Sequence, residues 1–313
     1  VAVEVAGRDP HAAEEISEGV TPVLRLGDRL VGPGHPCYVI AELGQNHSGS
    51  VDTAILMLRA AKQSGACAAK FQKRTPKLCV PDDQQTIPRD TPWGVMSYLE
   101  YRERLELGER DYDLVDKAAR LLGITWFASV WDEPSVEFMA KYAPVAYKIP
   151  SACLTDHALL RACRRTGRPV ILSTGMSTME EIDAAVRVLG RENLAVLHCI
   201  STYPASNAEL NLRVIQTLGE RYPDVVIGWS GHELGLSTTI CAVTLGASIV
   251  ERHFTLNRAD WGSDQAASLE PKGFATLVRD IRKWEVAAGD GVKRVYESEK
   301  PSMLRLRRVQ SPG

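Results

Sequence analysis

Eight short apolar runs recur along the chain, and nearly every one ends on a polar residue capable of chemistry rather than fading into a turn. They are CYVIAE ending on Glu42, CAAKFQ with Lys70 and Gln72, TWFAS ending on Ser129, VAYKIPS with Lys148 and Ser151, VILST with Ser173 and Thr174, LAVLHCIS with His198 and Ser201, VVIGWSGH with Ser230 and His232, and SIVERH with Glu251 and His253. Helical patterns separate most of them. Strand then amphipathic helix, eight times over, predicts an α/β fold closed into a (β/α)8 TIM barrel, apolar inside and with its chemistry at the C-terminal strand ends.

Around that repeat the pattern changes in three places. Residues 1–20 are acidic and weakly patterned, which predicts a mobile N-terminal arm. Within 21–36, VLRLGDRLVGPGHP reads as two short strands around Gly27-Asp28, a hairpin placed to cover the N-terminal mouth of the barrel. The barrel itself is assigned residues 37–295, with helices over 51–64, 111–122, 133–142, 155–166, 178–189, 211–220, 237–245 and 271–288, most of them bounded by recognisable caps or stops. From 73 to 108 Pro76, Pro81, Pro88 and Pro92 interrupt a stretch holding Trp93, Tyr98 and Tyr101. A connection this long carries a lid or substrate contacts, or is a surface excursion. Residues 296–313 form a basic tail, read as a linker.

Composition narrows the function classes. Hydrophobic residues make up 44% and charged residues 24%, and 37 Lys+Arg against 39 Asp+Glu leave a formal charge of −2. No global field then favours nucleic acid or a membrane surface, so an anionic ligand has to be held by local groups. The seven cysteines are odd in number, lie mainly in apolar segments and lack paired metal-ligand spacing, which predicts a reducing cytoplasm. No run is long and apolar enough to span a bilayer, and the N-terminus has no signal-peptide pattern.

The strand ends supply the candidate chemistry. Lys70 and Lys148 point to the barrel mouth, where buried lysines require an anion between them or nearby carboxylates such as Glu42. Ser129, Ser151, Ser173, Thr174 and Ser230 add hydroxyls suited to phosphate or carboxylate oxygens. His232 and His253 close adjacent strands, and two imidazoles with water and substrate oxygens form an open site for a divalent cation. His198 is read as core. Glu42 and Asp264 are the candidate bases; Glu251 either orients a ligand or forms a salt bridge within the barrel.

The segments IAELGQNHSGS, AAKFQK, YKIPSACLTDHALLRACRRTGRPVILSTGMST, LHCISTYPA, IGWSGHELG and GASIVERHFTLNRADWGSDQAASLEP resemble the sialic acid synthase family over about residues 22–290. That resemblance implies condensation of phosphoenolpyruvate with N-acetylmannosamine or a related sugar, release of phosphate, a 2-keto-3-deoxy acid product, and a divalent metal, Mn2+ or Mg2+. Position by position it implies that Lys70, Lys148, Ser129, Ser151, Ser173 and Ser230 hold phosphoenolpyruvate, that Gln72, Tyr203, Ser201 and Asn46 line the substrate pocket, and that His232 and His253 bind the metal. Glu42, Asp264 and Lys148 are then the candidate catalytic residues, Glu42 near the reacting carbons and Asp264 against the sugar.

Departures from the family pattern fall on the acceptor side. Cys153 stands where the family carries an acidic sugar contact, after Ala152 in place of glycine; it is a packing residue or a nucleophile. Ser201 replaces a frequent asparagine, Gly231 an acid beside His232, and Gln265 a histidine or apolar residue. The family's small antifreeze-like domain, which reaches over the partner's site and adds an arginine, is not expected here. Other acceptors, such as a nucleoside-derived or natural-product aldehyde, stay open, as do a non-catalytic anion-binding barrel, a lysine Schiff-base aldolase and homodimerisation.

Overall fold

The computed structural model describes residues 21–309, so the arm predicted for 1–20 lies outside the described residues. A hairpin of β1 (Leu24–Leu26) and β2 (Arg29–Val31) turns at Gly27, whose φ of +65° suits glycine. Then follow β3 (Tyr38–Gly44), α1 (Val51–Gln63), β4 (Ala68–Lys73), α2 (Pro76–Cys79), β5 (Pro88–Thr91), β6 (Gly94–Ser97), α3 (Tyr98–Leu105), α4 (Glu109–Leu122), β7 (Thr125–Val130) and α5 (Glu133–Ala140). The second half adds β8 (Tyr147–Ile149), α6 (His157–Arg165), β9 (Val170–Ser173), α7 (Met179–Leu189), β10 (Leu194–Cys199), α8 (Val214–Arg221), β11 (Val226–Gly231), α9 (Ser237–Thr244), β12 (Ile249–His253), α10 (Pro271–Ala288) and α11 (Lys300–Leu306).

Eight of these strands close into a parallel barrel in the order β3-β4-β7-β8-β9-β10-β11-β12, with β12 pairing back onto β3. Alternation within each strand divides the molecule into two cores. Val39, Ala41, Phe71, Trp126, Leu172 and Val196 face outward into the layer between sheet and helices. Tyr38, Ile40, Ala68, Phe127, Ile171 and Ile249 face inward and pack against Leu24, Leu26 and Val31 of the hairpin, which plugs the N-terminal mouth. Gly228 faces inward too, and only glycine fits: a Cβ there would lie 2.4 Å from Leu197 Cδ2 and 2.6 Å from the Ile249 carbonyl oxygen.

Three regions differ from the sequence reading. Residues 73–108 are largely structured, as α2, the β5-β6 hairpin and α3, because the Ser97 capping box and the prolines punctuate short elements instead of abolishing them. The tail contains α11, with Pro301 in its first turn, so it is not a bare linker. The helix expected from Thr155 begins at His157, since Asp156 caps it by accepting from the Ala158 and Leu159 amides. Among the described residues no helix is long and apolar enough to cross a membrane.

Candidate active site

Going up the barrel, the inward positions change from apolar to polar or charged within one alternation step. Ile40 gives way to Glu42, Ala68 to Lys70, Phe127 to Ser129, Ala146 to Lys148, Ile171 to Ser173, Leu197 to Cys199, and Ile249 to Glu251 then His253. These side chains converge on a cavity of ≈ 220 Å³, which Gln72, Ser151, Ser201, Tyr203, Ser230 and His232 also line.

The floor of the cavity is a four-charge ring. Lys70 Nζ lies 2.9 Å from Glu42 Oε2 and 3.4 Å from Glu251 Oε1, while Lys148 Nζ lies 3.9 Å from the same Glu251 oxygen. Lys70 also donates to Ser129 Oγ at 2.5 Å, Lys148 to Ser173 Oγ at 2.7 Å, and Ser230 to Glu251 Oε1 at 3.0 Å. Burial disfavours charge on all four, and they respond differently. Glu251 has two lysines, which outweigh burial and hold its carboxyl below the usual range. Glu42 has Lys70 but also the repulsion of Glu251, so burial prevails and its pKa rises. Burial lowers Lys148 to about 8, although Glu251 opposes the shift. Glu251 is therefore the ring's central counter-ion. Its position two residues before His253, with the same parity, was the only signal of that in the sequence.

Above the ring stand the two histidines, with ring centroids 5.3 Å apart, and the Tyr203 ring packs 4.0 Å from that of His232. His232 Nδ1 donates to the Ile200 carbonyl at 2.6 Å, leaving Nε2 with its lone pair free. Burial lowers the His253 pKa, keeping it neutral, and its buried Nδ1 has no hydrogen-bond partner, with Asp264 Oδ2 3.8 Å away. The two imidazoles fit a divalent cation, His253 because burial keeps it neutral and His232 once it yields the proton that Cys199 and the Ile200 carbonyl favour against burial. Among the described residues no three His, Cys, Asp or Glu side chains gather into a closed metal cage, so such an ion would keep open positions for substrate oxygens.

Most of the sequence candidates meet here; two stand elsewhere. Asn46 does not line the cavity: its Nδ2 donates to the Phe254 carbonyl and to Ser268 Oγ, both at 2.9 Å, tying the β3 loop to the segment after β12. Asp264 sits behind His253 and off the cavity surface. Ser151 lies past β8, beyond Pro150, in a 3-10 turn, where its Oγ accepts from the Gly175 amide. His198 faces outward, its Nε2 2.8 Å from the Leu210 carbonyl oxygen, in keeping with a core role. Cys153 is buried with Sγ 3.7 Å from the Trp131 carbonyl oxygen, and burial pushes its thiol up to about 12, which removes the thiolate a nucleophile requires. Gln265 is likewise buried, donating to the Asn46 carbonyl.

The sequence reading missed Cys199, Trp131 and Arg74. Cys199 lines the cavity on the inward parity of Ala195 and Leu197. Trp131 also lines it, with the Arg74 guanidinium 4.0 Å over its ring. Arg74 donates to Gln72 Oε1, and Glu106 ties Arg74 and Lys73 to the end of α3. The 73–108 connection docks beside the cavity: Trp93 and Tyr101 pack on Trp261 at centroid distances of 6.1 and 5.3 Å.

Comparison with known proteins fits this geometry. Residues 57–293 match the model of the NeuB family. The chain is 38% identical over 277 residues to mouse N-acetylneuraminate-9-phosphate synthase, spanning 87% of this chain and 76% of that protein. It is 34% identical over 290 residues to the N,N'-diacetyllegionaminic acid synthase of Legionella pneumophila, spanning 88% and 80%. The structure of an N-acetylneuraminic acid synthetase from Leptospira borgpetersenii, in complex with citrate, superposes with a TM-score of 0.81 at 29% identity, covering 92% of this chain and 99% of that one.

Proposed function

The chain belongs to the NeuB family, and from that premise we propose that its cavity joins phosphoenolpyruvate to the aldehyde carbon of an acylamino sugar, giving a 2-keto-3-deoxy sugar acid and phosphate. The observation that carries this reading is the buried ring. Two lysines share one firmly ionised carboxylate, and four serine hydroxyls stand around them. A phosphate and a carboxylate on one small molecule supply the charge that such a ring lacks.

The protein groups divide the work. Lys70 and Lys148 hold the anionic ends of phosphoenolpyruvate, with Ser129, Ser151, Ser173 and Ser230 saturating its oxygens. Carbon 3 of the enol bonds to the acceptor's carbonyl carbon, water adds at carbon 2, and phosphate leaves with cleavage of the C–O bond. Glu42, raised toward neutrality by burial and held by Gln72 Nε2 at 2.8 Å, exchanges the proton of that water or of the new hydroxyl. His232 and His253 are the residues that would hold a divalent metal, Mn2+ or Mg2+, which supplies Lewis-acid polarisation of the acceptor carbonyl. Tyr203 walls the acceptor side.

The test is consumption of phosphoenolpyruvate with Mn2+ and N-acetylmannosamine, read by product mass. Lys148→Met should lower turnover roughly 10²- to 10³-fold, and label in the bridging oxygen should appear in the released phosphate. Undiminished turnover in Lys148→Met, or no consumption with any aldose while phosphoenolpyruvate still binds, defeats the proposal.

A further inference from the structure

The ladder between β11 and β12 ends just short of the two histidines. Its last register pair is Gly231 with Arg252, so His232 and His253 come next on neighbouring strands. Each is anchored on the side away from the other. His232 Nδ1 meets the Ile200 carbonyl, and its own carbonyl accepts from the Ala205 amide at 3.0 Å, both from the segment after β10. His253 pairs with Glu42 of β3, where the Phe254 amide donates to the Glu42 carbonyl at 2.7 Å. Past the last ladder pair, strand twist and tilt would let the two imidazoles drift apart.

A side-chain clasp spans that gap. Glu233 follows His232, Arg252 precedes His253, and both are fully buried. Arg252 Nη1 donates to Glu233 Oε1 at 3.0 Å and Nη2 to the Glu233 carbonyl at 2.5 Å, so one planar fork grips both the side chain and the backbone beside His232. Thr238 and Thr239 of α9 donate to the same Glu233 oxygen at 3.1 and 2.6 Å. Neither Glu233 nor Arg252 lines the catalytic cavity. As a device for stability alone the clasp is poor. Glu233 Oε2 and Arg252 Nε are buried without a hydrogen-bond partner among the described residues, and a buried ion pair often stabilises no better than an apolar pair of the same shape. What the fork adds over an apolar pair is direction.

We propose that Glu233 and Arg252 are positioning residues for the divalent cation: the clasp fixes the spacing and direction of His232 and His253 and thereby sets metal affinity, without touching phosphoenolpyruvate. The inference rests on the reading above that these two histidines hold the ion. Glu251 faces inward to the lysines, whereas its neighbour Arg252 faces outward to Glu233. The clasp can therefore be loosened while the ring keeps its own contacts.

The experiment titrates Mn2+ into the protein without substrates and follows the paramagnetic resonance signal of the free ion; phosphoenolpyruvate binding is measured separately by calorimetry with a chelator present. Arg252→Met should raise the Mn2+ Kd roughly 10- to 100-fold. Glu233→Gln should act in the same direction but less, and Arg252→Lys, which keeps the charge without the fork, should recover part of the affinity. Phosphoenolpyruvate should bind each variant within roughly twofold of the wild type. Where Arg252→Met does not fold, Glu233→Gln and Arg252→Lys decide. Unchanged Mn2+ affinity in the folded clasp variants, while His232→Ala loses the ion, overturns the positioning role and leaves the metal reading intact. A parallel loss of phosphoenolpyruvate affinity also overturns it, because the clasp then supports the barrel as a whole. If the wild type binds no Mn2+, or His232→Ala binds it equally well, the metal reading fails and the positioning role fails with it.

Discussion

Two buried charge clusters sit only a residue apart along β12 and have opposite characters. Glu251 faces inward to Lys70 and Lys148, at the floor of an open cavity. Arg252 faces outward and pairs with Glu233 at 3.0 Å, both fully buried. The outer pair is tightly enclosed: Arg252 also donates to Thr239 Oγ1 at 2.6 Å and to the Gly235 and Glu233 carbonyls, and Gly231 leaves no room even for a Cβ between Glu233 and Trp229, although Arg252 Nε and Glu233 Oε2 keep no hydrogen-bond partner among the described residues. It holds β11 to β12 and α9, at the strand ends that carry His232 and His253. The inner ring has space above it and hydroxyls around it. Buried charge by itself does not mark a site; buried charge that faces a cavity does.

The comparison is open to direct tests. Arg252→Met leaves Glu233 buried without a cation and should cost about 3–5 kcal/mol in denaturant unfolding, whereas Lys148→Met should cost less than half of that while lowering turnover roughly 10²- to 10³-fold. Equal stability losses would erase the distinction between clasp and site. His47 offers a titratable group that belongs to neither cluster. Its imidazole is buried, Nδ1 accepts from the Gly49 amide at 3.1 Å, and burial lowers its pKa to about 4. Because the folded pKa lies below the unfolded value of about 6.5, the unfolded chain takes up the proton first. Stability is then whole above pH 6.5 and falls by about 3 kcal/mol as the pH drops toward 4. His47→Gln should flatten that limb of the stability profile, and an unchanged slope would place the acid sensitivity elsewhere. Gly228→Ala, in the apolar layer below the ring, should cost about 1–3 kcal/mol through overpacking. The smallest effect belongs to Cys153→Ala, about 1 kcal/mol or somewhat more from a shallow cavity, with kcat unchanged; a large loss of kcat would restore a chemical role to that thiol.

Within single strands much was legible. The switch from Ile40 to Glu42 or from Ala68 to Lys70 is visible as alternation, and the ends of CYVIAE and SIVERH name groups that do face the cavity. The same alternation assigns His198 to the outer layer and Cys199 to the inner, a distinction that a list of polar strand ends does not make. Asn46 was harder, because a loop amide has no periodicity, and whether it meets substrate or backbone depends on the Phe254 and Ser268 partners that the fold brings to it. The same holds for the 73–108 insertion, whose short elements carry too little pattern to show where they dock.

The sequence by itself determined the eightfold repeat, the apolar lower interior and the polar upper rim, since these follow from side-chain alternation along each strand. The tertiary structure decided which charges meet. Lys70 and Glu251 are on strands separated by β3, and Lys148 and Glu251 are further apart around the ring. Only closure and stagger of the barrel bring them within ion-pair distance, and no local pattern encodes that. The 73–108 insertion likewise meets the loop after β12 through Trp93 and Tyr101 packing on Trp261, a contact between segments far apart in the chain.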